Sequence, residues 1–250
     1  MTAPVPPRRV RWSFLGRVPY GEALELQVAS REVVKRGEGE ERLLLLEHPH
    51  VYTLGRNASP ADVLAPPEWL AARGVAVVEC DRGGQVTYHG PGQLVGYPVV
   101  NLSPDRRDIR RYVRDLQEVL VRTLADYGVA AVPGREQENI GVWTAGPEPG
   151  HEPAKIASLG IHLSRWVRTH GFALNVTTDL AMFAGIIPCG LRAVRMTSIA
   201  QETGRAPGLA EVAARVAAHF GEVFGREMVP EGEETAGPAE PAPVATAGVP

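Results

Sequence analysis

The stretch Arg82-Gly83-Gly84-Gln85-Val86-Thr87-Tyr88-His89-Gly90-Pro91-Gly92-Gln93 decides how the rest of the chain is read. It is small, polar and turn-forming, and it lies between two apolar runs, Val75-Ala76-Val77-Val78 and Leu94-Val95. A segment of this composition belongs at a surface, where water satisfies its backbone groups. Its four glycines within ten residues let the backbone take positive φ and approach a ligand closely. Arg82, Tyr88 and His89 set polar side chains beside that backbone. The spacing excludes two phosphate-binding loops. Gly-x4-Gly-Lys-Ser/Thr is absent. Gly83-Gly84 followed by Gly90 and Gly92 is not the dinucleotide fingerprint, and no βαβ unit surrounds it. The stretch is expected to form one wall of a binding site, with chemistry supplied by pieces around Lys155 and Cys189.

Upstream, Leu43-Leu44-Leu45-Leu46 is continuously apolar and predicts a buried strand. Before it come a short opening strand near Phe14, a loosely periodic helix from Tyr20 to about Val34, and a solvated loop, Gly37 to Glu41. After it, Val51 to Leu54 is extended, Pro66 to Arg73 predicts a short helix stopped by Gly74, and Val75 to Glu79 a strand. Downstream, Leu94 to Leu102 predicts a strand, and Pro98 argues for a sheet edge or a bulge. Two helices are clear. One runs from about Asp105 to Tyr127, with Ile109, Tyr112, Val113, Leu116, Val119, Leu120, Thr123 and Leu124 at helical spacing. The other runs from Gly208 to Phe224. Asn139 to Trp143 predicts a strand, and Lys155 to Leu163 paired with Thr169 to Val176 predicts a hairpin. Alternation puts Lys155 with Ala157, Leu159, Ile161 and Leu163 on one face of its strand. Helices that do not alternate regularly with strands make this an α+β fold, with a mixed, mostly antiparallel sheet and packed helices.

Composition fits a soluble globular chain of 250 residues, 44% hydrophobic and 22% charged. Residues 1–9 are proline-rich and expected to be loose, and residues 10–229 are expected to form the folded domain. The final 21 residues, 230–250, carry five prolines and four glutamates with no basic or aromatic residue, which predicts a disordered tail. A net charge of -3 gives no electrostatic case for nucleic acid. No apolar run approaches the ~20 residues of a membrane span, and the first residues lack a signal peptide's apolar core, so a cytoplasmic location is expected. Two cysteines make no disulfide framework and are expected to be free thiols.

Cys189 stands on a bend between Pro188 and Gly190, with Arg192 and Arg195 close behind. A thiol near cations tends toward the reactive thiolate, although free cysteines are often merely small buried hydrophobes, as Cys80 is expected to be. Lys155 lies on an apolar strand face, where desolvation favours the neutral amine and hence a base; a strand-end lysine reaching out to water is the plainer alternative. His89 and His170 could each activate a thiol. His48-Pro49-His50 lacks a third ligand at metal spacing, so no metal is expected.

Taken together, Arg82 to Gln93, Lys155-Ile156-Ala157-Ser158-Leu159-Gly160, His170-Gly171-Phe172-Ala173-Leu174-Asn175-Val176 and Pro188-Cys189-Gly190 resemble the lipoyl(octanoyl) transferase family, which shares its catalytic domain with lipoate and biotin protein ligases. The likeness spans about residues 10–228 in order. It implies that Cys189 carries the acyl group as a thioester and that Lys155 is its base. It also implies substrate contacts at Arg82, Gly83, Gly84, Gln85, Val86, Thr87, Tyr88, His89, Ser158, Leu159, Gly160, Gly171, Phe172 and Ala173. The donor it implies is octanoyl-acyl carrier protein. The acceptors are lysines on the lipoyl domains of 2-oxoacid dehydrogenase E2 subunits and on glycine cleavage H protein. It implies a monomer with no cofactor and no use of ATP. Competing readings are an ATP-dependent lipoate or biotin ligase, a non-catalytic member of the fold, and a cysteine hydrolase pairing Cys189 with His170 or His89.

Overall fold

The computed structural model describes residues 7–103, 107–134, 140–144, 153–164, 167–187 and 194–232, without the side chains of 163, 164 and 168. Its strands are β1 (Arg8–Arg17), β2 (Glu41–Glu47), β3 (Val51–Leu54), β4 (Ala76–Glu79), β5 (Val86–His89), β6 (Gln93–Val99), β7 (Ala131–Pro133), β8 (Gly141–Thr144), β9 (Ala154–Ser164), β10 (Val167–Asn175) and β11 (Arg226–Pro230). Its helices are α1 (Tyr20–Arg36), α2 (Pro67–Ala72), α3 (Ile109–Asp126), α4 (Ile199–Thr203) and α5 (Leu209–Phe224). Among the described residues the strands make two sheets, one of eight in the order β11-β1-β2-β6-β10-β9-β8-β7 and one of three in the order β4-β3-β5. The large sheet is parallel across β11, β1 and β2 and antiparallel from there on. No described helix is long and apolar enough to cross a membrane.

The leucine run is buried on both faces. Leu43 and Leu45 join the main core with α3 and α5. Leu44 and Leu46 pack beneath Ala23 of α1, together with Val95, Tyr97 and Ala173. Full burial of one such side chain is worth roughly 1.5–3 kcal/mol, so a continuously apolar run is what a strand between two helical layers requires. Helix α3 starts at Ile109 because Asp108 caps it, accepting the Arg111 amide N–H at 3.0 Å; the expected start at Asp105 lies outside the described residues. Its stripe from Tyr112 to Leu124 packs on α5, while Ile109, expected in that stripe, is 43% exposed. Gly225 ends α5 in the left-handed conformation, with φ 61.

Several expectations are corrected. Pro98 marks neither an edge nor a bulge, since β6 is interior, between β2 and β10. The proline is tolerated because the ladder to β10 stops at the Gly96–Phe172 pair, and His170, which would face Pro98, has φ 58. Val86 to His89, read as part of a surface segment, is a buried strand of the small sheet. Glu41, read as the end of a solvated loop, is 5% exposed and opens β2. It pairs with Arg226 at 2.9 Å and with Arg8, and accepts the Asn101 amide N–H at 2.8 Å. Desolvation raises its carboxyl pKa, against the opposing pull of both arginines. The opening strand begins at Arg8, and β11 carries order through Pro230 to Glu231, whose N–H reaches the Trp12 carbonyl at 2.8 Å. Residues 233–250 of the expected tail lie outside the described residues.

Candidate active site

Alternation along β5 turns Val86 and Tyr88 into the small core beside Tyr52 and Phe183, and Thr87 and His89 the other way. Arg82 anchors the turn before this strand. Its Nη2 donates to the Thr53 carbonyl at 2.6 Å and to Thr53 Oγ1 at 2.9 Å, Nε donates to Oγ1 at 3.2 Å, and Nη1 to the Gly83 carbonyl at 3.2 Å. The turn also bonds the large sheet, Gly83 N–H to the Ile161 carbonyl at 3.1 Å. Gly55 is sterically obligatory, because a Cβ there would stand 2.3 Å from the Gly84 carbonyl oxygen. Arg82, read as a ligand contact, is thus also the bolt between the glycine turn and β3.

Strands β9 and β10 form the facing wall. Lys155 is 1% exposed. The expectation that it shares a face with Ala157 is corrected by a bulge: Val142 pairs with Ala157 and Trp143 with Lys155, leaving Ile156 as the extra residue. Ile156 and Ala157 both enter the main core, and Lys155 lines the cavity with Ser158 instead. Its backbone is held on both sides, N–H to the Arg195 carbonyl at 2.8 Å and carbonyl from Thr197 N–H at 2.9 Å. Its Nζ lies 5.4 Å from the centroid of the Trp143 ring.

Between the walls is a cavity of about 710 Å3, of the size that small-molecule sites have. Arg82, Gly83, Gly84, Gln85, Val86, Thr87, His89, Lys155, Ser158, Leu159, Gly160, Gly171, Phe172 and Ala173 all line it. Tyr88 is the exception, with its ring in the small core and its hydroxyl 2.8 Å from His50 Nδ1. Cys189 lies outside the described residues. The chain on either side of it is tied down: Ile187 N–H donates to the Asp62 carbonyl at 2.8 Å, and Arg195 bonds Lys155.

Neutral imidazoles dominate the inner end. His48 Nδ1 donates to the Val18 carbonyl at 2.6 Å, so its Nε2 accepts the Tyr97 hydroxyl at 2.8 Å. Burial pushes its pKa down to about 4. His48 therefore serves the fold, not a metal. His89, stacked on Tyr20, has its Nδ1 2.8 Å from Gln93 Oε1, and burial, then the charges of His48 and Arg82, hold it well below the usual imidazole range. At the rim, His170 Nε2 bonds Asp81 at 2.7 Å, while its backbone N–H donates to Gln27 Oε1 at 2.7 Å, which stabilises its left-handed φ. Cys80 donates its thiol to the Leu54 carbonyl at 3.3 Å.

Residues 19–221 match the family model of the lipoyl protein ligase A/B catalytic domain. A protein from Solibacter usitatus named octanoyltransferase is 48% identical over 216 residues, which is 86% of this chain and 93% of that one. The chain belongs to the octanoyltransferase family. Another member, from Chloroflexus aurantiacus, is 49% identical with the same coverage of both chains; one from Myxococcus xanthus is 48% identical, and this chain covers 59% of its length. Solved structures share the fold at lower identity. A bi-partite lipoate protein ligase from Thermoplasma acidophilum has a TM-score of 0.67 at 18% identity, covering 90% of this chain and 88% of that one. Lipoate-protein ligase A bound with ATP has a TM-score of 0.65 at 19% identity, covering 90% of each.

In this octanoyltransferase-family cavity, Tyr20, Tyr97, Ile109 and Val113 line the wall without having been read as site residues. Ile109 and Val113 had a signal: their place in the apolar stripe of α3, whose first turn is only partly covered among the described residues. Tyr20 and Tyr97 had none, because each reaches the site only through long-range packing.

Proposed function

We propose that this chain transfers an octanoyl group from acyl carrier protein to a lysine ε-amine on lipoyl domains through a thioester on Cys189, without ATP. The observation that carries the reading is 48% identity to a protein named octanoyltransferase across 86% of this chain. The ATP-bound neighbour in the same fold is only 19% identical, so it argues for the architecture and not for adenylation. The buried cavity-lining Lys155 supports the reading. In the first step Lys155 takes the Cys189 proton, the thiolate attacks the donor carbonyl, and the carrier thiol leaves. In the second the acceptor amine attacks the enzyme thioester, C–N forms, C–S breaks, and Lys155 relays the released proton.

The test is the intact mass of the protein after incubation with octanoyl-acyl carrier protein and no ATP. Wild type is expected to gain one octanoyl group and lose it on addition of a lipoyl domain, and Cys189→Ser to gain none. Modification of the lipoyl domain only with free acid and ATP would overturn the proposal.

A further inference from the structure

His89 carries its proton on Nδ1, and its partners leave no choice in the matter. Asn175 Nδ2 donates to the Thr197 carbonyl at 2.9 Å, so Asn175 Oδ1 is an acceptor. Gln93 Nε2 donates to that Oδ1 at 2.9 Å and to the Tyr88 carbonyl at 3.2 Å. Two acceptors on one end fix the Gln93 amide, so its Oε1 faces His89 Nδ1 and must receive a proton from it. Nε2 is therefore the lone-pair nitrogen, and no hydrogen bond reaches it among the described residues. The ring lines the cavity.

The same chain of bonds ends on Lys155, since Thr197 gives its N–H to the Lys155 carbonyl at 2.9 Å. His89 and Lys155 are thus set in one rigid frame through Gln93, Asn175 and Thr197. A frame of buried, fully paired amides holds side chains to the tolerances that orientation effects in catalysis demand.

The transferred part of the donor gives this acceptor nothing to bind: the thioester group itself offers only acceptors, and the alkyl chain offers nothing. The thiolate nucleophile of the first step has no hydrogen either. An amine nucleophile does, and it keeps one N–H through to the amide product.

We propose that His89 Nε2 accepts a hydrogen bond from the attacking amine and so orients it onto the enzyme thioester, making His89 the residue that favours an amine over a thiol in the second step. The proposal rests on the thioester reading above. The hydrogens balance: of three on the acceptor ammonium, one leaves to solvent through Lys155, one returns to the Cys189 sulfur as C–S breaks, and one stays on the amide nitrogen, facing His89. The imidazole itself does not ionise. Burial disfavours its charged form, which suits an acceptor that must hold an N–H without removing it.

The test uses the isolated octanoyl-enzyme, discharged in parallel by a lipoyl domain (amine) and by free carrier thiol. In His89→Asn the side-chain amide can still donate to Gln93 while the Nε2 position is removed. The ratio of amine to thiol discharge is expected to fall about tenfold or more. His89→Phe, which keeps the ring volume, is the second variant should the first not fold by circular dichroism. A ratio unchanged in the folded variant, or both discharges falling together, would overturn the assignment. Failure of the wild type to take an octanoyl group would instead sink the thioester reading.

Discussion

Two histidine clusters flank one cavity and are built on opposite principles. The inner pair, His48 and His89, is buried, with protons fixed by the Val18 carbonyl and by Gln93. The outer pair, His162 and His170, shares Asp81, whose side chain is 51% exposed, and His162 Nδ1 also accepts from Arg56. In the inner pair desolvation and committed partners favour the neutral rings. In the outer pair the Asp81 carboxylate opposes the burial that lowers the His170 pKa. The two motif blocks that hold His89 and His170 thus place their imidazoles in different surroundings, which the sequence alone does not tell apart.

Acid breaks the inner cluster most. Folded His48 binds its proton near pH 4, against 6.5 for an ordinary imidazole. Between these values the unfolded state carries the extra proton, so stability present at neutral pH is lost as pH falls from 6.5 toward 4. The slope is about 1.4 kcal/mol per pH unit per histidine, or roughly 3 kcal/mol for His48 across that window, and His89 shifts in the same direction. Asp81 does not offset this. Its depressed pKa gives stability that is lost only below the ordinary carboxylate range. Urea midpoints that stay constant from pH 7 to pH 5 would contradict the assignment.

Removing the hub between His89 and Asn175 comes next. Gln93→Leu strands the His89 Nδ1–H, the Tyr88 carbonyl and Asn175 Oδ1, and is expected to cost about 2–3 kcal/mol in chemical denaturation. A change below ~0.5 kcal/mol would mean that water replaces it readily.

The smallest effect belongs to the rim. Asp81→Asn is expected to change stability by about 1 kcal/mol or less, because the carboxylate is half in water. It should also lower the His170 pKa further, since Asp81 is what raises it against burial. An NMR titration of the His170 ring that is unmoved by the substitution would show that Asp81 does not set the outer cluster apart from the inner one.

What the sequence discloses depends on how local the cause is. The leucine run and the stripes of α3 and α5 were legible because periodicity alone says which sides are covered. Lys155 was assigned to the wrong face because the bulge at Ile156 belongs to the pairing with β8, which one strand does not encode. Pro98 misled for a similar reason: its tolerance depends on His170, 72 positions later. The glycine block was legible as a site wall but not as a buried strand, since its burial comes from Arg82 clasping Thr53 and from the close approach at Gly55. Motif blocks contain fifteen of the cavity's lining residues. They were silent on the Gln93–Asn175–Thr197 relay, which exists only once β5, β6, β10 and the segment before α4 are brought together.

The completion of the large sheet by β11 also fixes an order of events in time. Glu41 opens β2, yet one of its two arginine partners, Arg226, lies 185 residues downstream on β11. During synthesis most of the chain has left the ribosome before that charge can be neutralised from the far side of β1. A premature stop before β11 would release a chain with a buried carboxylate short of a partner and the edge of β1 open, a species for chaperones and proteases.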